Sequence, residues 1–234
     1  MHSGFVRTAV ILGFVVAAIA SSTSLKPEAL SSVRVDFDTF IDEMRLRFSA
    51  DRVGAAERWQ VLMAEVAGGS PEDQLERVNN FFHRELRYKV DQQLYGQKDY
   101  WASPLETLGH GLGDCEDWAI ATYITLRHLG VSDDQLRLIY VRARMGGARS
   151  DITQAHMVLG YYPSPQSEPV ILDSLISTVL PASERTDLAP VFSFNSRGLW
   201  VGQGPAAASG SPTARLSLWR EVLVRMQEEG IKLQ

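Results

Sequence analysis

The sequence has a single cysteine, Cys115, in 234 residues. One thiol cannot form an internal disulfide bond, so a small fold held together by disulfides is excluded. Cys115 is then either an inert residue of the core or a reactive group. Free cysteine is among the most buried residue types, so the core role is favoured until the surrounding sequence is considered.

Long hydrophobic runs are also lacking. An apolar run from Ala9 to Ala20 follows Arg7 near the N-terminus, and its 12 residues are too few to cross a membrane core, which needs about 20. The ending Ala18-Ile19-Ala20 suits signal peptidase. We therefore predict a cleaved signal peptide over residues 1–20 and an exported protein over residues 21–234 that does not itself span the membrane.

An excess of positive charge is the third missing feature. The chain has 23 Lys and Arg against 28 Asp and Glu, and Arg7 is the one basic residue of the predicted signal. The mature protein therefore carries 22 basic residues and a net charge of about −6. Nucleic acid is bound mainly through basic side chains that contact its phosphates, so we expect no nucleic acid partner.

Helical spacing dominates the first part of the mature chain. Apolar residues recur three or four positions apart in two segments, and a third such segment begins at Ser70 with Pro71 in its first turn. The apolar positions of these three predicted helices are Phe37, Phe40, Met44 and Phe48, then Ala56, Trp59, Met63 and Val66, then Leu75, Val78, Phe82 and Leu86. A fourth helix is predicted from Asp114 to Gly130 and is apolar nearly all round, which is typical of a buried helix.

Strand-like segments follow these helices. They are LRLIYVRAR (136–144), AHMVLGYY (155–162) and PVILDSL (169–175), then the shorter VFSFN and GLWVG. Helices followed by strands predict an α+β fold with an antiparallel sheet. A last amphipathic helix is predicted over about residues 212–229, and the length of residues 21–234 suits a single domain.

Cys115 lies in the first turn of the predicted buried helix, directly after a loop with Gly109, Gly111 and Gly113. We interpret these glycines as turn positions rather than regular structure. The unpaired N–H groups and the positive end of the helix dipole favour a thiolate here, and N–H groups of the loop are available to bind an oxyanion. A cysteine that only fills the core gains nothing from a place at a helix start after a glycine-rich loop. A nucleophile is therefore the better interpretation.

A base for this nucleophile is predicted from the strands 155–162 and 169–175. If they form a hairpin centred on Pro163-Ser164-Pro165-Gln166, residues whose numbers add up to 329 face each other, and His156 lies opposite Asp173. Facing side chains have Cβ atoms about 4.5–5.5 Å apart, so the carboxylate can accept from the imidazole and fix its tautomer. A surface pair of opposite charge fits the strand pattern equally well, and a bulge would shift the register.

The other histidines fit this role less well. His83 falls in an Arg-rich helical stretch, and His128 ends a helix, where a cation is favourable. His110 ranks second because it lies in the loop just before Cys115. No carboxylate of the strands is brought to His110 by an equally simple argument.

Three acids, Asp114, Glu116 and Asp117, surround the cysteine, and their repulsion should raise the pKa of its thiol. A hard cation would relieve that repulsion. Carboxylates at a helix start supply the oxygen ligands that Ca²⁺ prefers, whereas the lack of a second cysteine and of clustered histidines argues against zinc. On the local pattern alone, an N-cap aspartate with acids in the first turn is the more common explanation.

Taken together, these segments resemble the bacterial transglutaminase-like cysteine proteinases of the LapG type. The tryptophan-rich approach and GDCED core of that family are found in DYWASPLETLGHGLGDCEDWAIATYITLRHLG, its histidine strand in AHMVLGYY, its aspartate strand in VILDSL and its closing motif in DLAPVFSFNSRGLW. The resemblance covers about residues 37–201. It implies a papain-like, transglutaminase-type fold and a Cys-His-Asp triad, which falls on Cys115, His156 and Asp173.

The same resemblance implies calcium dependence, with Asp114 and Glu116 as ligands and Asp117 as a third, and so reverses the preference for a simple helix cap. Enzymes of this family work in the periplasm, where they cut the N-terminal region of a large surface adhesin at a site with paired alanines. An inner-membrane receptor for cyclic di-GMP sequesters them. The expected protein is therefore a calcium-dependent periplasmic cysteine endopeptidase that releases an adhesin and promotes biofilm dispersal.

Two other functions use the same residues. A transglutaminase or amidase would carry out acyl transfer with the same triad. A non-catalytic periplasmic binding module on a degenerate protease fold would keep only the groove. The complete set of Cys, His and Asp weighs against the binding module, whereas the sequence does not separate the peptidase from the transferase.

Overall fold

The computed structural model describes Met1 and residues 33–147, 149–202 and 216–233. The predicted cleavage site at Ala20 and the predicted start of the last helix at residue 212 lie outside the described residues, as does the predicted signal peptide apart from Met1. Within the described part of the chain, no helix is both long and apolar enough to cross a membrane.

The helices lie mainly in the first half of the chain. They are α1 (Phe37–Arg47), α2 (Ala50–Val66), α3 (Pro71–Glu85), α4 (Asp91–Leu94), α5 (Pro104–His110), α6 (Cys115–His128) and α7 (Ser217–Glu228). The strands are β1 (Val33–Val35), β2 (Arg87–Tyr88), β3 (Leu112–Gly113), β4 (Leu136–Arg144), β5 (Thr153–Tyr161), β6 (Val170–Asp173), β7 (Ile176–Pro181), β8 (Leu188–Phe194), β9 (Leu199–Val201) and β10 (Ile231–Leu233).

Local sequence sets where the first helices begin. At the start of α1 the Asp36 side chain accepts from the N–H of Thr39 at 3.3 Å, and at the start of α3 Ser70 Oγ accepts from the N–H of Asp73 at 3.2 Å. Pro71 occupies the first turn of α3, where an N–H would have no helical partner. The three predicted N-terminal helices are confirmed, although α2 begins earlier than its predicted apolar stripe.

The largest sheet has six strands in the order β7-β6-β5-β4-β8-β9, and every neighbouring pair is antiparallel. The predicted α+β class with an antiparallel sheet is therefore confirmed. One face of the sheet, with Leu138, Met157 and Leu159, packs into the same core as the helices. The opposite face carries a separate apolar cluster that includes Val158 and Ile171.

Helix α6 lies at the centre of the main core, since every residue from Asp117 to Arg127 is buried. Trp59 of α2 donates from Nε1 to Thr125 Oγ1 at 2.9 Å. Burial of a large apolar side chain contributes about 1.5–3 kcal/mol, so a helix surrounded in this way is strongly held. The tight packing fixes the position of its first residue, Cys115.

The last helix, α7, has Trp219, Val222 and Met226 on its buried face, and Trp219 packs against Tyr123 of α6 with ring centroids 5.9 Å apart. Leu223 is only partly buried. Helix α7 therefore shares the core of the N-terminal helices.

Candidate active site

The loop before α6 is shaped by the short helix α5 and by two glycines. Helix α5 begins with a capping box, because Ser103 Oγ accepts from the N–H of Glu106 at 3.2 Å and Glu106 Oε2 accepts from the N–H of Ser103 at 2.9 Å. It ends at Gly111, whose φ of 65° favours glycine. A Cβ on Gly113 would lie 2.8 Å from Asp117 Oδ2, so the close approach of this carboxylate requires glycine.

The interpretation of the three loop glycines as turn positions was partly wrong. Gly109 lies within α5 and Gly113 within β3, whereas Gly111 ends the helix as expected. The ring of Phe48 covers Gly109 so closely that a Cβ there would come within 2.5 Å of it. The Ser-Pro-x-Glu sequence starting at Ser103 is the signal that could have predicted this helix.

His156 and Asp173 form a buried pair on the sheet. His156 Nε2 lies 2.7 Å from Asp173 Oδ1, and both side chains are almost wholly shielded from solvent. The structure therefore brings together the two residues that the sequence paired. With Nε2 held by the carboxylate, Nδ1 is the ring nitrogen left to act as a base.

The register that led to this pair was wrong by two residues. Leu159 faces Leu172 and Gly160 faces Ile171, so paired residue numbers add up to 331 rather than 329. A shift of two keeps every side chain on its predicted face, whereas a shift of one would not. His156 and Asp173 are thus diagonal neighbours, which an imidazole ring can still bridge.

Asp173 has more partners than the sequence indicated. Oδ1 also accepts from the N–H of Leu175 at 3.0 Å, and Oδ2 accepts from Arg185 Nη2 at 2.6 Å. Burial raises the pKa of this carboxyl, but the hydrogen bonds from His156, Leu175 and Arg185 outweigh it and hold the pKa below its ordinary value. Asp173 is therefore ionised at neutral pH. No local pattern in the sequence marks Arg185 as a partner.

Cys115 lies beside strand β5, next to the predicted base. Strand β6 ends at Asp173, and beyond that point the backbone N–H of Met157, the residue after His156, lies close enough to the sulfur to lower the pKa of the thiol, although other causes outweigh it. Cys115 Sγ in turn donates to Glu116 Oε2 at 2.9 Å. Among the described residues there is no hydrogen bond between Cys115 and His156.

The pKa of the Cys115 thiol is raised well above its ordinary value. Burial is the largest cause, followed by repulsion from Glu116, the hydrogen bond to that residue, and repulsion from Asp114. The expectation that the helix start would favour a thiolate is therefore wrong for the protein without a bound cation. The helix dipole contributes at most about 2 kcal/mol, too little to offset burial beside two carboxylates.

Two further acids join the three that surround the cysteine in the sequence. Asp91 of α4 comes within 4.8 Å of both Asp114 and Asp117, measured between carboxylate oxygens, and Asp91, Asp99 and Glu116 form a second group at the same spacing. Asp91 and Asp99 were not predicted as ligands, because they lie in a stretch without a metal-binding pattern.

This acidic cluster has the chemistry of a site for a hard cation. Burial, followed by mutual repulsion, raises the pKa of Asp114 to about 8; burial also raises the pKa of Asp91 to about 6. Asp91 Oδ1 and Asp114 Oδ1 are buried acceptors without a hydrogen-bond partner. A calcium ion bound by carboxylate oxygens would satisfy them, so these residues fit the predicted ion.

Asp117 differs from the other two predicted ligands. Its Oδ1 accepts from the N–H of Ala102 at 2.7 Å, and its Oδ2 accepts from the N–H of Asp114 at 3.3 Å. It therefore ties the start of α6 to the segment before α5. The cap role and the ligand role are compatible, since each carboxylate oxygen has a second lone pair.

The remaining histidines of the described residues are placed as follows. His110 is exposed at the end of α5, where its ring contacts Phe48 and Tyr95, and it makes no hydrogen bond to Cys115. His128 was expected as a cation, but its Nδ1 accepts from the N–H of Val35 at 3.1 Å and burial lowers its pKa. His128 is therefore a neutral acceptor.

His83, which the sequence analysis set aside, lies at the border of the site. Its Nε2 is 3.1 Å from the backbone oxygen of Asp173, and its ring packs against Trp118. The contact is to the main chain of Asp173, so His83 supports the strand rather than the carboxylate.

A family model described as bacterial transglutaminase-like cysteine proteinase matches residues 44–186. This is more than half of the chain, and it contains Cys115, His156 and Asp173. The chain belongs to this family. The family resemblance and the transglutaminase-like fold expected from the sequence are thus confirmed, and a cysteine peptidase is the enzyme class that membership supports. A comparison with curated protein sequences gave no match.

Solved structures of LapG from Legionella pneumophila are similar to this cysteine proteinase. One is 38% identical over 81% of this chain and 97% of that chain, with a TM-score of 0.68. A calcium-bound form is 40% identical over 80% of this chain and 97% of that chain, with a TM-score of 0.68. An EGTA-treated form is 38% identical over 81% of this chain and 97% of that chain, with a TM-score of 0.70. LapG has thus been studied with calcium and after chelation, which suggests calcium as the ion of this family.

Proposed function

We propose that the protein is a calcium-dependent cysteine endopeptidase, with Cys115 as nucleophile, His156 as base and Asp173 as the residue that orients His156. The observation that carries the proposal is the buried contact of 2.7 Å between His156 and Asp173, next to Met157, whose backbone N–H acts on the pKa of the Cys115 thiol. Nucleophile, base and orienting acid are the minimum set for acyl transfer by a thiol.

The reaction proceeds in two acyl-transfer steps. His156 takes the proton of Cys115, and the thiolate attacks the backbone carbonyl carbon of the substrate. His156 then gives that proton to the leaving amine as the C–N bond breaks, which leaves a thioester on Cys115. His156 then takes a proton from water as the water oxygen attacks the thioester carbon. The C–S bond breaks, the acid product leaves, and His156 returns the proton to the sulfur, which restores the thiol.

The acidic cluster would hold the calcium ion, with Asp91, Asp114 and Glu116 as the main ligands and Asp99 and Asp117 beside them. When bound, the ion would supply positive charge next to the thiol. Asp117 keeps the start of α6 in place, and Glu116, which now accepts from the sulfur, would serve as a ligand.

The substrate and the compartment are part of the same proposal. The N-terminal run of the sequence supports export, and the family resemblance supports the periplasm as the place of action. We propose the N-terminal region of a large repetitive surface adhesin as the protein substrate, with biofilm dispersal as the outcome. An inner-membrane receptor for cyclic di-GMP is the proposed regulator.

The test is cleavage of a purified N-terminal adhesin fragment by the purified protein, with and without a calcium chelator. We expect two fragments with calcium, loss of cleavage in chelator, and no cleavage by Cys115→Ala, which should remain folded by circular dichroism. Undiminished cleavage by Cys115→Ala would contradict the nucleophile, and undiminished cleavage in chelator would contradict the ion. Crosslinked products instead of fragments would favour the transferase.

A further inference from the structure

Arg185 is a buried cation behind the proposed catalytic pair. It lies in the segment between β7 and β8, and only 5% of its surface is exposed. By strand alternation, His156 and Asp173 share a sheet face with Val158 and Ile171, and this is the face against which the β7–β8 segment packs. The guanidinium therefore reaches Asp173 from the side opposite the helices.

The two oxygens of Asp173 have separate partners. Oδ1 accepts from the N–H of Leu175 and contacts His156 Nε2, whereas Oδ2 accepts from Arg185 Nη2 at 2.6 Å. A carboxylate is planar and rigid, so a donor that fixes Oδ2 also sets the direction in which Oδ1 points. Arg185 is itself held by Asp187, through Nε at 3.0 Å and Nη2 at 2.8 Å.

We infer that Arg185 is a positioning residue for the proposed peptidase reaction: it fixes the carboxylate of Asp173 so that His156 keeps its proton on Nε2 and its lone pair on Nδ1. The predicted effect of Arg185 on catalysis rests on the proposed function. Its predicted effect on the tautomer of His156 rests only on the contacts of Asp173. Arg185 does not touch the sulfur or a substrate, so it acts through Asp173.

The charges that face Asp173 come from three elements. His156 faces it from β5, and His83 of α3 contacts its backbone oxygen. The β7–β8 segment contributes both Arg185 and the anion Asp187, which repels Asp173 and is itself paired with Arg185. Arg185 is the one permanent cation in this set. A buried carboxylate without such a cation ionises at higher pH, so loss of Arg185 would leave Asp173 partly neutral at a pH where it is now charged.

A merely structural role, in which Arg185 anchors the β7–β8 segment, is the alternative. Its contact with Asp187 could serve that purpose, but 41% of the Asp187 side chain is exposed, and exposed ion pairs contribute little. The contact with Asp173 is buried on both sides. Among the described residues, Arg185 Nη1 has no hydrogen-bond partner, so the side-chain hydrogen bonds of the guanidinium are those to Asp173 and Asp187.

The experiment compares Arg185→Met and Arg185→Lys in the purified full chain. Arg197→Met, which removes an exposed ion pair with Asp134, is the matched control. With the adhesin fragment as substrate, we expect Arg185→Met to lower kcat by about 10- to 100-fold with little change in KM, and to move the acid limb of the pH profile upward. Arg185→Lys restores part of kcat because it restores the charge.

Two further measurements distinguish a positioning role of Arg185 from a general effect on folding, and test that role independently of the proposed function. On an Asp173→Asn background, adding Arg185→Met should cause no further loss of kcat, because its target is already gone. In Cys115→Ala protein, the imidazole ¹⁵N shifts of His156 should show a proton on Nε2, and adding Arg185→Met should populate both tautomers. The second measurement needs no peptidase activity.

The inference is overturned if Arg185→Met keeps the Nε2–H tautomer of His156, or if wild-type protein cleaves and Arg185→Met cleaves equally well with an unchanged pH profile. It is also overturned if Arg185→Met lowers kcat by the same factor in the wild-type background and in the Asp173→Asn background. If wild-type protein does not cleave while the tautomer changes as expected, the proposed function fails and the positioning role stands.

Discussion

The two sides of the proposed active site differ in how their charges are balanced. On the sheet side, Asp173 is matched by His156 and Arg185, and its pKa lies below the ordinary value. On the helix side, Asp91 and Asp114 have buried oxygens without partners, and their pKa values are raised. The charges on the sheet side are balanced within the protein itself, whereas the helix side carries buried negative charge that a bound cation would balance.

Under the proposed function, this difference separates a base that is already oriented from a thiol whose pKa is raised. The same carboxylates that would hold calcium raise the pKa of Cys115 while no ion is bound. Calcium would thus act on the nucleophile and leave the base unchanged. If the protein is exported as proposed, it meets far more calcium than a cytosolic protein, so binding on the order of 10⁻⁴ M would suffice.

The largest effect is expected on the sheet side. Asp173→Asn should lower kcat on the order of 10³-fold, because His156 loses the group that fixes its tautomer. Asp187→Asn is the matched control, since Asp187 also bonds Arg185 but does not touch His156. Steady-state kinetics on the adhesin fragment measure both. Equal losses of kcat in the two variants would mean that Asp173 has no specific role in orienting His156.

Calcium should stabilise the protein through the helix side. At a calcium concentration 100 times Kd, the free energy of unfolding rises by about 2.7 kcal/mol, which raises Tm by several degrees. Asp91→Asn should reduce this rise, whereas Asp134→Asn, on an exposed ion pair away from the cluster, should not. Calorimetry with calcium and with chelator provides the comparison. An identical Tm in both conditions would rule out a site in the folded protein.

The pH dependence of stability without calcium should show the raised pKa values directly. The pKa of Asp91 is about 6 and that of Asp114 about 8 in the folded protein, against 3.8 for an ordinary aspartate. The folded state therefore binds more protons than the unfolded state, and stability falls as pH rises from about 4 to 8. Calcium should remove most of this fall. A stability in chelator that rises over this range would contradict the assignment.

The smallest effect is expected for His110, the second candidate base. His110→Ala should change kcat by less than about twofold, because its ring contacts Phe48 and Tyr95 rather than the thiol. His156→Ala is the comparison and should lose nearly all activity. If His110→Ala lost as much as His156→Ala, the sheet side would not be the sole source of the base.

The sequence predicted the parts of this site that depend on short spacings. The order of helices and strands indicates the α+β class, and hairpin symmetry brought His156 to Asp173. The register itself was wrong by two residues, and the pairing survived because an even shift keeps the same sheet face. Cys115 was predicted as the nucleophile from its place between a glycine-rich loop and a helix start, and it stays a prediction.

Other parts depend on contacts between distant segments, which a single sequence does not reveal. Arg185 reaches Asp173 because the β7–β8 segment crosses one face of the sheet, and Asp91 joins Asp114 because α4 packs beside the loop before α6. The raised pKa of Cys115 depends mainly on burial, which the spacing of residues along the sequence does not reveal. Helix α5 is different, since its capping box was visible in the sequence and was missed.

The most direct test of the proposed mechanism is to trap the acyl-enzyme. Calcium-loaded protein is mixed with the adhesin fragment, quenched in acid within the first turnovers, and mapped by mass spectrometry. The mechanism predicts the N-terminal part of the substrate on Cys115 as a thioester, with neither adduct nor cleavage in Cys115→Ala. An adduct on another residue, or cleavage by Cys115→Ala at the wild-type rate, would contradict it.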